Sequence, residues 1–491
     1  MDHDNPYLEI GVQPFINCCG TRTIHSGTLI LPVVQEAMLA ASTRFVNMDE
    51  LMAGVGRRLA ELTGAEWGMI TTGAAAALCH ATAACVTGGD PEKMLRLPHT
   101  AGLENRVVMM ADGRFTYDQA IRTVGVEIVE VSPDGLAGAL EAGAAMVAFL
   151  GSREVERMAR FAEMVALARA KNVPVLVDAA AEHLQRPDPY LQAGASMVVY
   201  SGGKYLRGPQ ASGLLLGRKK WVETAWTCAA PHHTLGRSMK VGKEEVMGLL
   251  AAVEYWADQR DHAAEQRQWR IDLETIADLV GRVESVTTAI TPAQNPRSPV
   301  PRLQIRWDAA RLGVSGLALR ERLLQGRPRI MLDDRGATRG SIFILPFSLQ
   351  PGEAEIVAQA ISRALLAGPE PAPESRPPAV AMSGTWQIEI AFTEAEAAHR
   401  WTLEQDGATL RGRHQTLFLA GALSGSLSGD QIELTSQLPY EGTHLAYRFL
   451  GTVHGDTAAG VVELGSSGQA APGPLNQREY GTAPWRGKRI K

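Results

Sequence analysis

Met197-Val198-Val199-Tyr200-Ser201-Gly202-Gly203-Lys204 is an apolar run of strand length that stops in a turn of small residues and delivers an amine. Four apolar residues bounded by turn formers read as a buried strand. Upstream, Val175-Leu176-Val177 is a second such run and ends in Asp178. Further upstream, Trp67-Gly68-Met69-Ile70-Thr71-Thr72 leads through Gly73 into 74–86, a run of good helix formers. Residues 107–110, 126–131 and 146–150 are also short and apolar, and helical stretches such as 155–170 lie between several of these runs. Buried strands alternating with helices indicate a mostly parallel α/β sheet.

Working outward, 32–41 reads as a helix opened by Pro32, and 49–62 has helical apolar spacing. Residues 218–281 are mainly helical. Strand-like runs at 303–307, 329–332 and 341–347, closed by a helix over 353–366, read as a smaller α+β unit. At 368–378 the composition changes to Gly-Pro-Glu-Pro-Ala-Pro-Glu-Ser-Arg-Pro-Pro, a linker. Beyond it Trp386, Ile388, Ile390 and Phe392 alternate strictly, and turn signals recur at Asp406-Gly407, Ser428-Gly429-Asp430 and His454-Gly455-Asp456. That grammar is all-β, a small barrel or sandwich. The small, polar stretch 465–474 reads as irregular. The expected division is a large α/β domain over 1–260, whose N-terminal segment is free to join the small domain, then a small α+β domain over 261–367, a linker over 368–383 and a β domain over 384–491.

The length of 491 residues exceeds one ordinary domain, and 45% apolar residues suffice for large cores. A net charge of −5 gives no basic excess for nucleic acid or an anionic membrane. There is no charge-free apolar run long enough to span a bilayer, and the acidic start, Met1-Asp2-His3-Asp4, lacks the features of a signal peptide. Five cysteines, of which Cys18 and Cys19 are adjacent, have no metal spacing and read as thiols in a reducing compartment. A soluble cytoplasmic protein is expected.

Three short motifs bear chemistry. Lys204, at a strand end among glycines, has room to form an imine with an aldehyde cofactor and then to act as acid or base; on its own, such a lysine is more often a solvated surface residue. Asp178, at a strand's C-terminal edge, can pair with a protonated pyridine nitrogen, although a strand-end aspartate also caps helices. Thr72, Gly73 and Ala74 open a helix whose N–H groups can hold a phosphate, with Ser201 as an additional ligand; the plainer alternative is an N-cap by Thr72. Phosphate loop, acid and lysine, in that order at strand ends of one sheet, together indicate a pyridoxal 5'-phosphate site.

With these motifs in hand, the chain resembles the fold-type-I pyridoxal-phosphate enzymes related to selenocysteine synthase, in particular the D-glucosaminate-6-phosphate ammonia-lyase-like branch. The stretches that carry the resemblance are Ile16-Asn17-Cys18-Cys19-Gly20-Thr21, Phe45-Val46-Asn47-Met48-Asp49-Glu50-Leu51, Leu62-Thr63-Gly64-Ala65-Glu66, Thr72-Gly73-Ala74-Ala75-Ala76, Tyr117-Asp118-Gln119-Ala120-Ile121-Arg122 and Ser201-Gly202-Gly203-Lys204. They span roughly residues 7–365. The resemblance implies that Lys204 carries the cofactor as a Schiff base, that Asp178 faces its ring nitrogen, and that Thr72, Gly73, Ala74 and Ser201 surround its phosphate. It also implies a homo-oligomer with sites near subunit interfaces, and a mouth lined by residues 17–22 and 48–50. Three features depart from it. Gly113-Arg114 stands where a His-Arg pair is common, which leaves the group stacked on the ring open. His25 replaces a small or aliphatic residue and points to a changed pocket. The C-terminal β domain is an addition.

His25, Arg114 and Arg339 are therefore the candidates for substrate contact, with Arg335 weighed beside Arg339 as a carboxylate clamp. His232-His233 lacks companions at ligand spacing, so no metal is expected. Trp386 and Trp401 read as β core. The expected reaction passes through a carbanion at Cα of an amino acid or amino-sugar acid, with Lys204 as base. It is an α,β-elimination giving a 2-keto acid. Racemisation or epimerisation, retro-aldol cleavage and β-replacement are the competing outcomes, and a non-enzymatic cofactor-binding scaffold is the remaining alternative.

Overall fold

The apolar runs become strands, joined by three that the sequence reading does not mark: β1 (Phe15–Asn17), β2 (Trp67–Thr71), β3 (Arg106–Met110), β4 (Glu127–Val131), β5 (Met146–Leu150), β6 (Val175–Asp178), β7 (Met197–Ser201), β8 (Gly213–Gly217), β9 (Val286–Thr291), β10 (Arg302–Trp307), β11 (Arg329–Met331) and β12 (Ser341–Ile344), of which β1, β8 and β9 are the additions. The computed structural model describes residues 5–151, 155–293, 299–333, 337, 339–368, 376–468 and 479–490. They fall into two units, Met1–Gly113 with Tyr117–Gly368, and Arg114–Thr116 with Pro369–Lys491.

In the first unit, among the described residues, seven strands form one sheet in the order β2-β8-β7-β6-β5-β3-β4. β7, β6, β5, β3 and β4 are parallel to one another. β8 runs antiparallel to both β2 and β7, so β2 points the same way as the parallel set. The C-terminal ends of β2, β7, β6, β5, β3 and β4 consequently share one edge. β8 is a strand that the sequence reading passes over. Its Gly-Leu-Leu-Leu-Gly is too short to show a period, and it is strand because it lies buried between two others.

β1 pairs in parallel with β11, Asn17 opposite Met331, which ties the N-terminal segment to the chain after residue 300. β9, β10 and β12 make a separate antiparallel sheet. Leu303, Ile305, Ile342 and Ile344 pack there with Leu273, Ile276, Val357 and Ile361 from the helices His262–Val280 and Glu353–Leu366. The strand expected over 341–347 stops at Ile344, because Pro346 opens a 3-10 turn. Residues 218–281 are helical as Lys219–Thr227, Lys243–Asp258 and His262–Val280, with a loop between the first two.

The second unit resolves the choice between barrel and sandwich. β13 (Gly384–Ala391), β14 (Glu396–Asp406), β15 (Thr409–Gln415), β16 (Ala420–Ser428), β17 (Gln431–Tyr440), β18 (Thr443–His454), β19 (Thr457–Gly468) and β20 (Thr482–Ile490) form a closed barrel, each antiparallel to its neighbours, with β20 returning to β13. Closure removes the exposed strand edges. The interior is filled by Trp386, Trp401, Trp485 and Phe449. Near them, in β14, β15 and β17, lies a buried polar group in which His399 Nδ1 meets His414 Nε2 at 2.9 Å and His414 Nδ1 meets Ser436 Oγ at 3.0 Å. One expectation fails here. Residues 465–468 are not irregular but continue β19, laddered to 443–446, since a barrel strand needs backbone partners more than apolar side chains. Residues 469–474 lie outside the described residues, as does most of the proline-rich stretch. Among the described residues no helix is long and apolar enough to cross a membrane.

Candidate active site

The register of the central strands brings the sequence motifs together. Thr71 and Ser201 both stand opposite Gly213 of β8, so the three form one row across β2, β8 and β7. At the usual strand spacing this separates Thr71 from Ser201 by about 10 Å. Gly73 follows with φ of 115°, a conformation that side chains other than glycine's rarely adopt, and the helix Ala74–Thr87 starts from it. The N-cap is Gly73 rather than Thr72, and no side chain caps this end, which leaves its first N–H groups available for an anion. A Cβ on Gly213 would lie 2.3 Å from the carbonyl carbon of Gly73 and 2.6 Å from the nitrogen of Ala74, so only glycine permits this approach of β8 to the loop. Thr71 Oγ1 donates to the Gly73 carbonyl at 2.8 Å and holds the loop's shape.

Asp178 closes β6, in register with Leu150 of β5 and Val199 of β7. Its carboxylate is buried, and Oδ1 accepts the backbone N–H of Ala180 at 2.8 Å. Burial pushes its pKa up, opposed by that N–H and by the charge of Lys204. Lys204 is half-buried in the turn after β7. Burial lowers the pKa of its amine, and Asp178 raises it. Each group thus feels the other's charge in a poorly solvated site, where both charged forms lose hydration.

The segment 22–31 wraps the lysine turn. Thr28 Oγ1 donates to the carbonyls of Gly203 and Lys204, both at 3.3 Å, and Arg207 Nε donates to the Leu29 carbonyl at 3.2 Å. His25 lies in this segment, half-buried, its ring edge-on to Phe15 at 5.7 Å. Arg22 begins it and pairs with the buried Asp333, just beyond β11, at 3.6 Å. On the other side of the turn Tyr205 lies against His183, ring centroids 3.9 Å apart and tilted by 34°, and Phe347 meets Tyr205 edge-on at 4.9 Å. Arg260 Nη1 donates to the Tyr205 carbonyl, so the turn is held from both sides.

The remaining candidates lie elsewhere. Arg114 is buried and paired with Glu441 in the second unit, not with Lys204. Arg339 is exposed in the turn before β12, and Arg335 lies outside the described residues. His232 binds Asp49 at 3.1 Å, and Asp49 also accepts from Trp226 Nε1 at 2.8 Å. None of the five cysteines is in a disulfide among the described residues. Asp333, His183 and Tyr205 escape the sequence reading. They belong to no motif, and only the fold carries Asp333 to a segment some 300 residues away in the chain.

A fold-type-I cofactor fits this set of residues. The glycine cradle at Gly73 and Gly213 leaves backbone N–H groups for a phosphate, and a desolvated amine lies within electrostatic reach of a buried carboxylate.

The L-seryl-tRNA selenium transferase family model matches residues 154–291, which contain Asp178, Ser201 and Lys204. The chain is 30% identical over 365 residues to the D-glucosaminate-6-phosphate ammonia lyase of Salmonella typhimurium, covering 72% of this chain and 96% of the relative. It is 33% identical over 382 residues to a 5'-C-glycyluridine monooxygenase-decarboxylase from a Streptomyces species, covering 74% of this chain and 93% of that one. A solved structure of D-glucosaminate-6-phosphate ammonia-lyase matches with a TM-score of 0.66 at 27% identity, covering 74% of this chain and 99% of the other.

Proposed function

The chain belongs to the fold-type-I pyridoxal-phosphate enzymes related to selenocysteine synthase, in the family of D-glucosaminate-6-phosphate ammonia lyase, and from that premise we propose that it removes ammonia from a hydroxylated amino acid or amino-sugar acid by α,β-elimination. The poorly solvated pair Lys204 and Asp178 at the edge of the sheet supports the cofactor chemistry, and the 30% identity to D-glucosaminate-6-phosphate ammonia lyase favours elimination among its outcomes. Bound there, pyridoxal 5'-phosphate supplies an aldehyde for the amine and a ring that accepts the electron pair left at Cα.

The chain's own residues do the rest. Lys204 would hold the cofactor, and its amine is the group placed to take the proton from Cα. The lowered pKa keeps more of this amine unprotonated near neutral pH than in an exposed lysine. Asp178, oriented by the Ala180 N–H, would offer a negative charge to the cofactor's ring nitrogen. Thr72, Gly73, Ala74 and Ser201 bind the phosphate. His25, beside the lysine turn, shapes the substrate pocket. Arg114 and Arg339 are weaker candidates for substrate contact, the first held by Glu441 and the second exposed.

The enzyme works as a homo-oligomer in the cytoplasm. Support for assembly is the exposed apolar set Ile10, Ile24, Leu29, Leu39 and Phe45 within the first 45 residues. Five cysteines outside any disulfide fit a reducing compartment.

The test is to incubate the cofactor-loaded enzyme with D-glucosaminate 6-phosphate and with a panel of hydroxy amino acids. Ammonia and a 2-keto acid released in equal amounts support elimination. The Streptomyces relative gives a second reading, oxidative decarboxylation, which would consume dioxygen and release carbon dioxide instead. Conversion of one stereoisomer into the other without ammonia would support racemisation.

A further inference from the structure

We propose that Arg260 is the positioning residue of Lys204, gripping the turn that carries the lysine so that its amine keeps one direction. The inference rests on the reading of Lys204 as the residue that carries the cofactor.

The backbone places Arg260 before its side chain acts. It stands between the helices Lys243–Asp258 and His262–Val280. Gln259 ends the first helix, and the Arg260 N–H donates to the Tyr255 carbonyl at 2.9 Å. Asp261 caps the second by accepting the Ala264 N–H at 2.8 Å. That second helix packs Leu273, Ile276 and Val280 into the core of the small antiparallel sheet. Arg260 therefore marks the point where the chain enters the small α+β part.

From this junction the side chain reaches the lysine turn. It is 1% exposed, and Nε meets both carboxylate oxygens of Glu265 at 3.0 Å. Nη1 donates to the Tyr205 carbonyl, one residue past Lys204. The grip from Thr28, on the carbonyls of Gly203 and Lys204, is made by a neutral hydroxyl at 3.3 Å. A charged donor makes the stronger bond. The Tyr205 ring is met by the same part of the chain, since Phe347 lies edge-on to it and in turn lies against Trp269, ring centroids 5.6 Å apart. An ion pair taken out of water adds little net stability. What Arg260 and Glu265 supply here is a fixed donor aimed at one backbone carbonyl.

The consequence is chemical. Misplacing a reacting group by about 1 Å can cost about 100-fold in rate. A lysine turn released to rock should therefore lose turnover while it still binds the cofactor.

The test uses the full-length protein loaded with pyridoxal 5'-phosphate. The cofactor is achiral, so the visible circular dichroism of its lysine-bound form reports how rigidly the protein holds it. Arg260→Gln should keep the absorbance band, with the circular dichroism per bound cofactor falling to about half or less. For whichever amino acid the unsubstituted enzyme consumes, kcat should fall about tenfold or more, with KM within about threefold. Arg260→Lys keeps a charged donor without the planar fork and should recover part of both signals. Val280→Ala, in the core of the same small part, serves as the control for plain destabilisation and should leave the circular dichroism unchanged. A full signal in Arg260→Gln, or an equal loss in Val280→Ala, overturns the inference and leaves the cofactor reading intact. No lysine-bound band in the unsubstituted protein overturns both.

Discussion

On the proposed reading, two residues set how tightly and how productively the cofactor is used, and they act by different physics. Gly213 acts by absence. Any side chain there meets the backbone of Gly73 and Ala74, which cannot yield without moving the first turn of the helix Ala74–Thr87. Gly213→Ala should weaken pyridoxal 5'-phosphate binding about tenfold or more, measured by titrating the cofactor-free protein. Asp178 acts by charge. Asp178→Asn keeps the shape and one acceptor for the Ala180 N–H but removes the negative charge, and should lower kcat about 100-fold or more. Steady-state turnover with whichever substrate releases ammonia checks this, and an unchanged kcat would remove Asp178 from the site. Lys204, Asp178 and Gly73 are legible in the amino-acid sequence alone, because each sits at or just past the end of an apolar run where strand meets turn. Asp333, His183 and Tyr205 are not, since what gives them meaning is a contact across the fold rather than a neighbour in the chain.

At the scale of elements, alternation is legible wherever one face meets a core and the other meets water. Trp386, Ile388 and Ile390 mark β13 in this way. β8 stays hidden because both of its faces are buried and its sequence carries no period. β1 and β9 escape for the related reason that a short strand takes its identity from its partner. The barrel makes two predictions of its own. Trp386 fills its interior, so Trp386→Ala should destabilise this unit by about 3–5 kcal/mol, measured by hydrogen exchange of its strands in the full-length protein. The buried pair His399 and His414 has pKa values lowered by burial to about 4 and about 3, with His399 adding to the effect on His414. In the unfolded chain both titrate near 6.5. The unfolded state therefore takes up protons first as pH falls, and stability present above about pH 6.5 is lost on the way down to pH 4 and 3. Exchange protection in β14 and β15 should drop between pH 7 and 4.5 by at least about tenfold, and the double variant His399→Gln with His414→Gln should flatten that slope. Equal slopes for the two proteins would assign the acid sensitivity to other groups.

At the scale of the whole molecule, the exposed apolar residues along the N-terminal segment and the start of the large unit call for a cover. Phe45 is fully exposed next to the helix Met48–Thr63. Sedimentation should give at least twice the 52.8 kDa chain mass, and Phe45→Glu should shift the population towards the single chain; a monomer at micromolar concentration would contradict assembly through this surface. The central claim, a lysine-held cofactor that works on amino acids, is tested most directly by an absorbance spectrum of the full-length protein after incubation with pyridoxal 5'-phosphate. The expected result is a band near the visible edge that shifts when one class of amino acid is added and is missing from Lys204→Ala. A band that survives in Lys204→Ala, or no band in the unsubstituted protein, would contradict it.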